Sequence, residues 1–324
     1  MKEYEKMNQM ERQEFLAKVS SLYYDKCMTQ SEIANEFKTT RFKVAKYIQF
    51  AKDEGVVEIN INYPRQRLKS LENEFLERFD LKEVIIIDNK TLPYDEIIYA
   101  LGKFGARFLT DIIEENDTIG VLWGKTISNV IKHLNVNNKM PITALQLVGA
   151  AAKDNLLIDS PELIRRLAEA YSGTYKYLYA PLYMENDFAR KAFLQEPVIN
   201  DTLFSASKAK IALSGIGTVH AVFASTLWKN YLNDNISKST AVGCIYGRVY
   251  DILGNLIDAP INEKVIGLDL DIIRNIEYRI GVSSGKLKGE AILGAINGKF
   301  INVLITDAET ATKVLLLDDK NKQN

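Results

Sequence analysis

The chain has 324 residues, 47% of them hydrophobic and 26% charged, with a formal net charge of −1. That length accommodates a small module and one large domain, and the composition is that of a globular rather than a fibrous or disordered protein. A near-neutral total gives no overall nucleic-acid signature, yet it leaves room for a local basic face.

Two cysteines, Cys27 and Cys244, fit no metal-ligand spacing and suit a reducing cytoplasm, the expected location. The first residues, MKEYEKMNQMERQEF, are charged and lack the apolar stretch of a signal peptide. No run of about 18 apolar residues occurs that would cross a membrane.

In chain order, Phe15, Leu16, Val19, Leu22 and Tyr23 recur at helical spacing and predict a helix over 11–26. Thr29 reads as an N-cap with Glu32 as its capping-box partner, and Ile33, Ala34 and Phe37 form the buried stripe of a short second helix. Lys38 and Thr39 make a tight turn, and Thr40 caps a third helix that Gly55 ends. Residues 56–61 alternate into a strand, which suits the wing of a winged helix. Pro64 breaks it, and 65–80 reads as a linker helix with Leu68, Leu71, Phe75, Leu76 and Phe79 on one face.

From Glu83 the pattern changes. Val84-Ile85-Ile86-Ile87 is a near-continuous apolar run of the kind buried in a parallel sheet. Helices over 93–115 and 126–133 alternate with strands over 118–122 and 143–148; further strands are expected at 175–180, 210–214, 243–250, 278–283 and 302–305. The alternation predicts an α/β fold: a doubly wound, mostly parallel, Rossmann-like sheet following an N-terminal helix-turn-helix, winged-helix-like domain. The expected division is 1–62 for DNA binding, 63–82 as linker helix, 83–318 as effector domain and 319–324 as a polar tail.

The first three helices carry the DNA reading. Ala34 takes the small position where the helices cross, and Val44, Tyr47 and Ile48 lock the crossing. The turn position that usually holds glycine is Lys38, a departure costing about 1 kcal/mol in a left-handed conformation. Between Lys38 and Lys52 there are five basic residues and no acidic one. Arg41, Lys43 and Lys46 lie early on the third helix, where side chains reach base edges, and Gln30 and Thr40 sit at helix N-termini, where phosphates bind. The same lysines would also suit a plain solvated face.

Glycines after strands mark a possible anion site. Trp123-Gly124-Lys125-Thr126 closes a strand and opens a helix, so Gly124, Lys125 and Thr126 can hold an anion at the helix N-terminus. Gly149 ends a second strand, Gly217 and Thr218 a third, and Lys288 follows Ser283-Ser284-Gly285 at another helix start. In open α/β sheets ligands bind outside the carboxyl ends of the strands. The Gly-Lys-Thr is too short for a P-loop, and a first-turn lysine is commonly just solvated. His133 and His220 fit no metal site, and His133 near a helix C-terminus favours a cation there. No cofactor, metal or catalytic group is expected.

The segment LYYDKCMTQSEIANEFKTTRFKVAKYIQFAKDEGVVEINI resembles the N-terminal module of the SorC family of bacterial sugar-responsive regulators. The similarity continues in order through GVLWGKT, LQLVGA, YAPL, SGIGTV, AVGCIYGRVYD and RIGVSSGKLKGEAILGAI. It implies a transcriptional regulator that binds palindromic operator DNA as a homodimer or homotetramer under control of a phosphorylated sugar. It also implies an effector domain like those of glucosamine-6-phosphate deaminase and ribose-5-phosphate isomerase, without their catalysis.

By that resemblance Gly124, Lys125, Thr126 and Lys288 stand at the phosphate end, and Gly149, Gly217 and Thr218 line the pocket. Cys244 stands where members often carry an acidic residue, so one hydroxyl partner is missing. Ser284-Gly285 replaces a double glycine found in some. Val148 replaces the lysine with which one member forms an imine, so no covalent aldehyde adduct is expected there. The alternative is a sugar-phosphate isomerase or deaminase with a fused accessory domain, which would need an acid–base pair at the same strand ends.

Overall fold

Asn8 starts the first helix, α1 (Gln9–Tyr24), through a reciprocal cap in which its side chain accepts the Glu11 N–H and Glu11 accepts the Asn8 N–H. The computed structural model describes residues 4, 7–57, 67–90, 92–136, 139–151, 155–220, 240–257 and 260–323. The wing strand expected over 56–61 lies, from residue 58 on, outside the described residues, as do the first two residues of the expected linker helix. Two units separate, Met1–Pro64 and Arg65–Asn324.

In the first unit, α2 (Gln30–Glu36) and α3 (Arg41–Asp53) follow α1. Thr29 and Glu32 form the expected capping box, and the Thr40 hydroxyl accepts the Lys43 N–H at 3.3 Å. Lys38 takes the left-handed conformation at φ 50°, so the turn forms without glycine. Ile33, Ala34, Val44 and Ile48 bury against Val19 and Leu22. Phe15 extends this core, its ring edge-on to Phe37 at 5.4 Å and to Tyr47 at 5.0 Å.

In the second unit the described helices are α4 (Lys69–Arg78), α5 (Tyr94–Ile112), α6 (Lys125–Lys132), α7 (Ser160–Tyr171), α8 (Asp187–Gln195), α9 (Pro197–Ala206), α10 (Pro260–Glu263), α11 (Leu270–Arg274), α12 (Gly289–Asn297) and α13 (Ala308–Gln323). The described strands are β1 (Glu83–Ile87), β2 (Thr118–Val121), β3 (Thr143–Leu145), β4 (Thr174–Lys176), β5 (Ile211–Gly215), β6 (Gly217–Thr218), β7 (Ala241–Ile245), β8 (Arg248–Asp251), β9 (Tyr278–Val282) and β10 (Val303–Asp307).

Seven strands form one sheet in the order β1-β10-β9-β5-β2-β3-β4, with every neighbouring pair parallel. Side chains alternate across it. Val84 and Ile86 enter a core shared with Phe75, Ile292 and Val314, and Ile85 and Ile87 enter one shared with Leu101, Val130 and Leu167. Helices thus cover both faces, which is why β1 reads as an unbroken apolar run. From β2 the chain steps outward to β3 and β4, and β5 then returns on the other side of β2. The strand order therefore reverses between β2 and β5, the switch point at which such sheets open a crevice.

Three expectations change. The run over 243–250 is not one strand of the main sheet. It folds back at Tyr246 (φ 52°) and Gly247 (φ 75°) into the β7–β8 hairpin, part of a separate antiparallel sheet with β6. The stretch read as a linker helix contains α4, which packs on β1. Arg67 binds Glu72 at 2.8 Å and Glu83 at 2.6 Å, and the buried Glu72 accepts the Ile86 N–H at 2.9 Å. The polar tail, as far as residue 323, is helical and continues α13.

Candidate functional site

The switch point brings most of the expected pocket residues to one loop, 215–218. Thr126, the second residue of α6, is buried and donates its hydroxyl to the Val282 carbonyl at 3.0 Å, which ties the β2 corner to the end of β9. A Cβ on Gly215 would stand 3.6 Å from the Thr126 hydroxyl and 3.5 Å from the Trp123 carbonyl, so the strand ends are in close approach. Gly217 pairs with Cys244 and Thr218 with Gly243 across β6 and β7. Cys244 is a buried free cysteine.

Lys288 reaches this loop from the other side. It ends a 3-10 turn, Lys286–Lys288, just before α12, and donates to the Ile216 carbonyl at 2.9 Å. Ser283 donates to the same carbonyl at 3.4 Å. Burial pushes the Lys288 ammonium below the ordinary lysine range, and among the described residues no carboxylate pairs with it. A cation taken out of water against a carbonyl alone is under-compensated, and an anion is the partner that would relieve it.

The turn that presents Lys288 is fixed from behind. Gly285, at φ 117°, occupies a conformation that side chains disfavour, and its N–H donates to the Thr310 hydroxyl at 2.8 Å. Thr310 in turn donates to Asp307 at 2.6 Å, and the Asn89 amide donates to the other Asp307 oxygen at 3.0 Å. Three strand ends are thereby joined through buried Asp307, Asn89 and Thr310. Sequence reasoning singled out none of these three. Their signal, a Thr-Asp at a strand end followed by a helix, is a plain N-cap pattern.

Two expected residues are placed differently. Lys125 extends outward, donating to Asp95 at 2.7 Å with its ammonium 5.3 Å from the Tyr94 ring; the hydrogen bond to Asp95 raises its pKa. Gly149 donates its N–H to the Ile266 carbonyl at 2.8 Å, and a Cβ there would strike the Pro181 carbonyl, so close backbone packing alone requires glycine. Val148 is buried beside it. His133 caps the C-terminus of α6, but burial lowers its pKa, so the cation expected there is disfavoured.

In the first unit Arg41, Lys43 and Lys46 are exposed along α3, whose Val44 and Ile48 are buried. The Lys46 ammonium lies 5.3 Å from the Phe50 ring. Thr40 is exposed and Gln30, opening α2, is half-buried. Phe42, which the sequence pattern does not single out, stands among them as a residue 88% exposed. No helix among the described residues is long and apolar enough to cross a membrane.

An open parallel sheet with a half-buried lysine against the loop at its switch point, preceded by a separate three-helix unit with exposed basic residues, defines a class of protein rather than an individual one. Residues 63–316 match the Sugar-bind family, described as "Putative sugar-binding domain", and the chain belongs to that family. It is 30% identical over 304 residues to the deoxyribonucleoside regulator of Bacillus subtilis (strain 168), covering 93% of this chain and 97% of that one. It is 27% identical over 306 residues to the sorbitol operon regulator of Klebsiella pneumoniae, covering 93% and 97%. The crystal structure of that full-length regulator, SorC, aligns with a TM-score of 0.70 at 26% identity, covering 94% of this chain and 99% of that one. The resemblance to SorC-type regulators drawn from the motifs is borne out along nearly the whole chain.

Proposed function

We propose that this chain is a DNA-binding transcriptional regulator whose operator affinity is set by a phosphorylated sugar held at the switch point of the large unit. The observation that carries the effector reading is Lys288, a half-buried ammonium without a carboxylate partner among the described residues, at the loop where the glycine-rich strand ends meet. Lys288 binds the phosphate together with the backbone around Gly124 and the first turn of α6. Gly217, Thr218 and Cys244 face the sugar, and Lys125 adds charge from outside.

The DNA reading is supported by the names of the relatives, which are regulators, and by α1–α3. These form a helix-turn-helix in which α3 is the recognition helix. Arg41, Lys43 and Lys46 contact DNA from it, and Gln30 and Thr40 meet the phosphate backbone. The chain assembles as a homodimer or homotetramer in order to read a palindromic operator. No observation favours the isomerase or deaminase reading.

A thermal-shift screen of phosphorylated sugars against the matching free sugars tests the effector. A ligand at about 100 times its Kd adds roughly 2.7 kcal/mol to stability. The expected result is stabilisation by at least one phosphate and by none of the free sugars. Stabilisation by free sugars alone would remove the phosphate site from the account.

A further inference from the structure

Phe42 is the second residue of α3, directly after the Thr40 cap and Arg41, and it is 88% exposed. The buried side of α3 is formed by Val44, Ile48 and Ala51, so Phe42 takes no part in holding the three helices together. Its exposed neighbours Arg41 and Lys43 are cationic, and residues 38–52 contain no carboxylate. A large apolar ring between two cationic neighbours fits a polyanion that offers an apolar group between its charges.

Duplex DNA offers one such group. In the major groove every base edge presents hydrogen-bond donors or acceptors, and thymine alone adds a methyl group. The phenyl ring of Phe42 has neither donor nor acceptor, so it can discriminate only that methyl. Residues in the first turn of a recognition helix are the ones that reach base edges. We infer that Phe42 is a specificity-determining residue that rests on the 5-methyl group of a thymine in each operator half-site. The inference depends on the DNA-binding reading above. Arg41 and Lys43 flank the ring and hold the neighbouring phosphates or a guanine.

The test uses the full-length chain and the duplexes it selects from a random-sequence pool. Each thymine in the selected site is replaced in turn by deoxyuridine, which lacks only the methyl group. The expected result is one thymine per half-site whose replacement weakens binding by about three- to fivefold, the contribution of one buried methyl. Phe42→Ala weakens binding to the thymine duplex by at least as much, and at that position alone it no longer distinguishes thymine from uracil. Phe42→Leu keeps part of the discrimination.

Uniform indifference of the unaltered chain to uracil overturns the inference, and so does a Phe42→Ala chain that discriminates as before. A Phe42→Ala chain altered in oligomeric state but not in thymine preference also overturns it, since the ring would then serve a protein contact. Selection of no DNA sequence at all would remove the DNA-binding reading and this inference together.

Discussion

At the Gly124–Thr126 corner the lysine lies in solvent, bonded to Asp95 and set beside Tyr94. At the Gly285–Lys288 corner the lysine is turned inward onto the Ile216 carbonyl, and its turn is braced by Thr310, Asp307 and Asn89. Both follow a positive-φ glycine three residues past the end of a strand, and in sequence they read alike. Their environments give them different work. An exposed, already paired ammonium adds little to binding, because water and its own carboxylate screen it. A desolvated ammonium with only a carbonyl partner is costly until an anion arrives, so it couples ligand binding to the state of the fold.

That contrast can be broken most directly at Lys288. Lys288→Met removes the cation but keeps the aliphatic stem, and phosphate-ligand affinity should fall by about 100-fold, the loss of a charge-assisted contact in a buried site. Without ligand the variant should be as stable as the parent or more so, since a partly desolvated charge with only a carbonyl partner is gone. The pH dependence carries a definite sign. The folded-state pKa of Lys288 lies below its ordinary 10.5, so between the two the unfolded chain holds more protons. Stability should rise with pH across that window, and below it the penalty is present in full. Urea unfolding at a series of pH values should lose this component in Lys288→Met. An unchanged pH profile with unchanged ligand stabilisation would make the two corners equivalent.

A smaller effect sharpens the account of why Lys288 is held in place. Asp307→Ala removes the acceptor of the Thr310 hydroxyl, the Thr310 N–H and the Asn89 amide. Leaving these buried donors unsatisfied should cost about 2–4 kcal/mol in urea unfolding. A cost below about 0.5 kcal/mol would mean that the network does not brace the corner. The smallest effect is expected at the other end, where Lys125→Ala should weaken phosphate-ligand binding by less than about threefold. A loss as large as that of Lys288→Met would reverse the assignment.

Much of this was legible in the residues themselves, wherever the physics is local. Thr29 with Glu32, Thr40, and Lys38 standing in for glycine each act within a few residues, and each is found as read. The apolar run of β1 reports a buried parallel strand. The illegible parts depend on contacts that sequence spacing does not encode. The β7–β8 turn was hidden because Tyr246, not asparagine or glycine, takes the first left-handed position. The face of α4 showed that it wanted a partner but not that β1 was the partner. Lys125 is drawn outward by Asp95, thirty residues earlier, and Asp307 meets Asn89 only once the sheet has formed. Phe42 was passed over because a helical wheel shows which side is apolar, whereas its exposure depends on the packing of all three helices.

The most direct measurement is operator binding by the full-length chain, followed by fluorescence anisotropy on a selected duplex, with each sugar phosphate and its free sugar titrated in. A phosphorylated sugar should change duplex affinity by about 10- to 100-fold, and its unphosphorylated counterpart should leave it unchanged. A chain that binds its duplex equally tightly with every phosphate present, or that responds only to free sugars, would contradict the account.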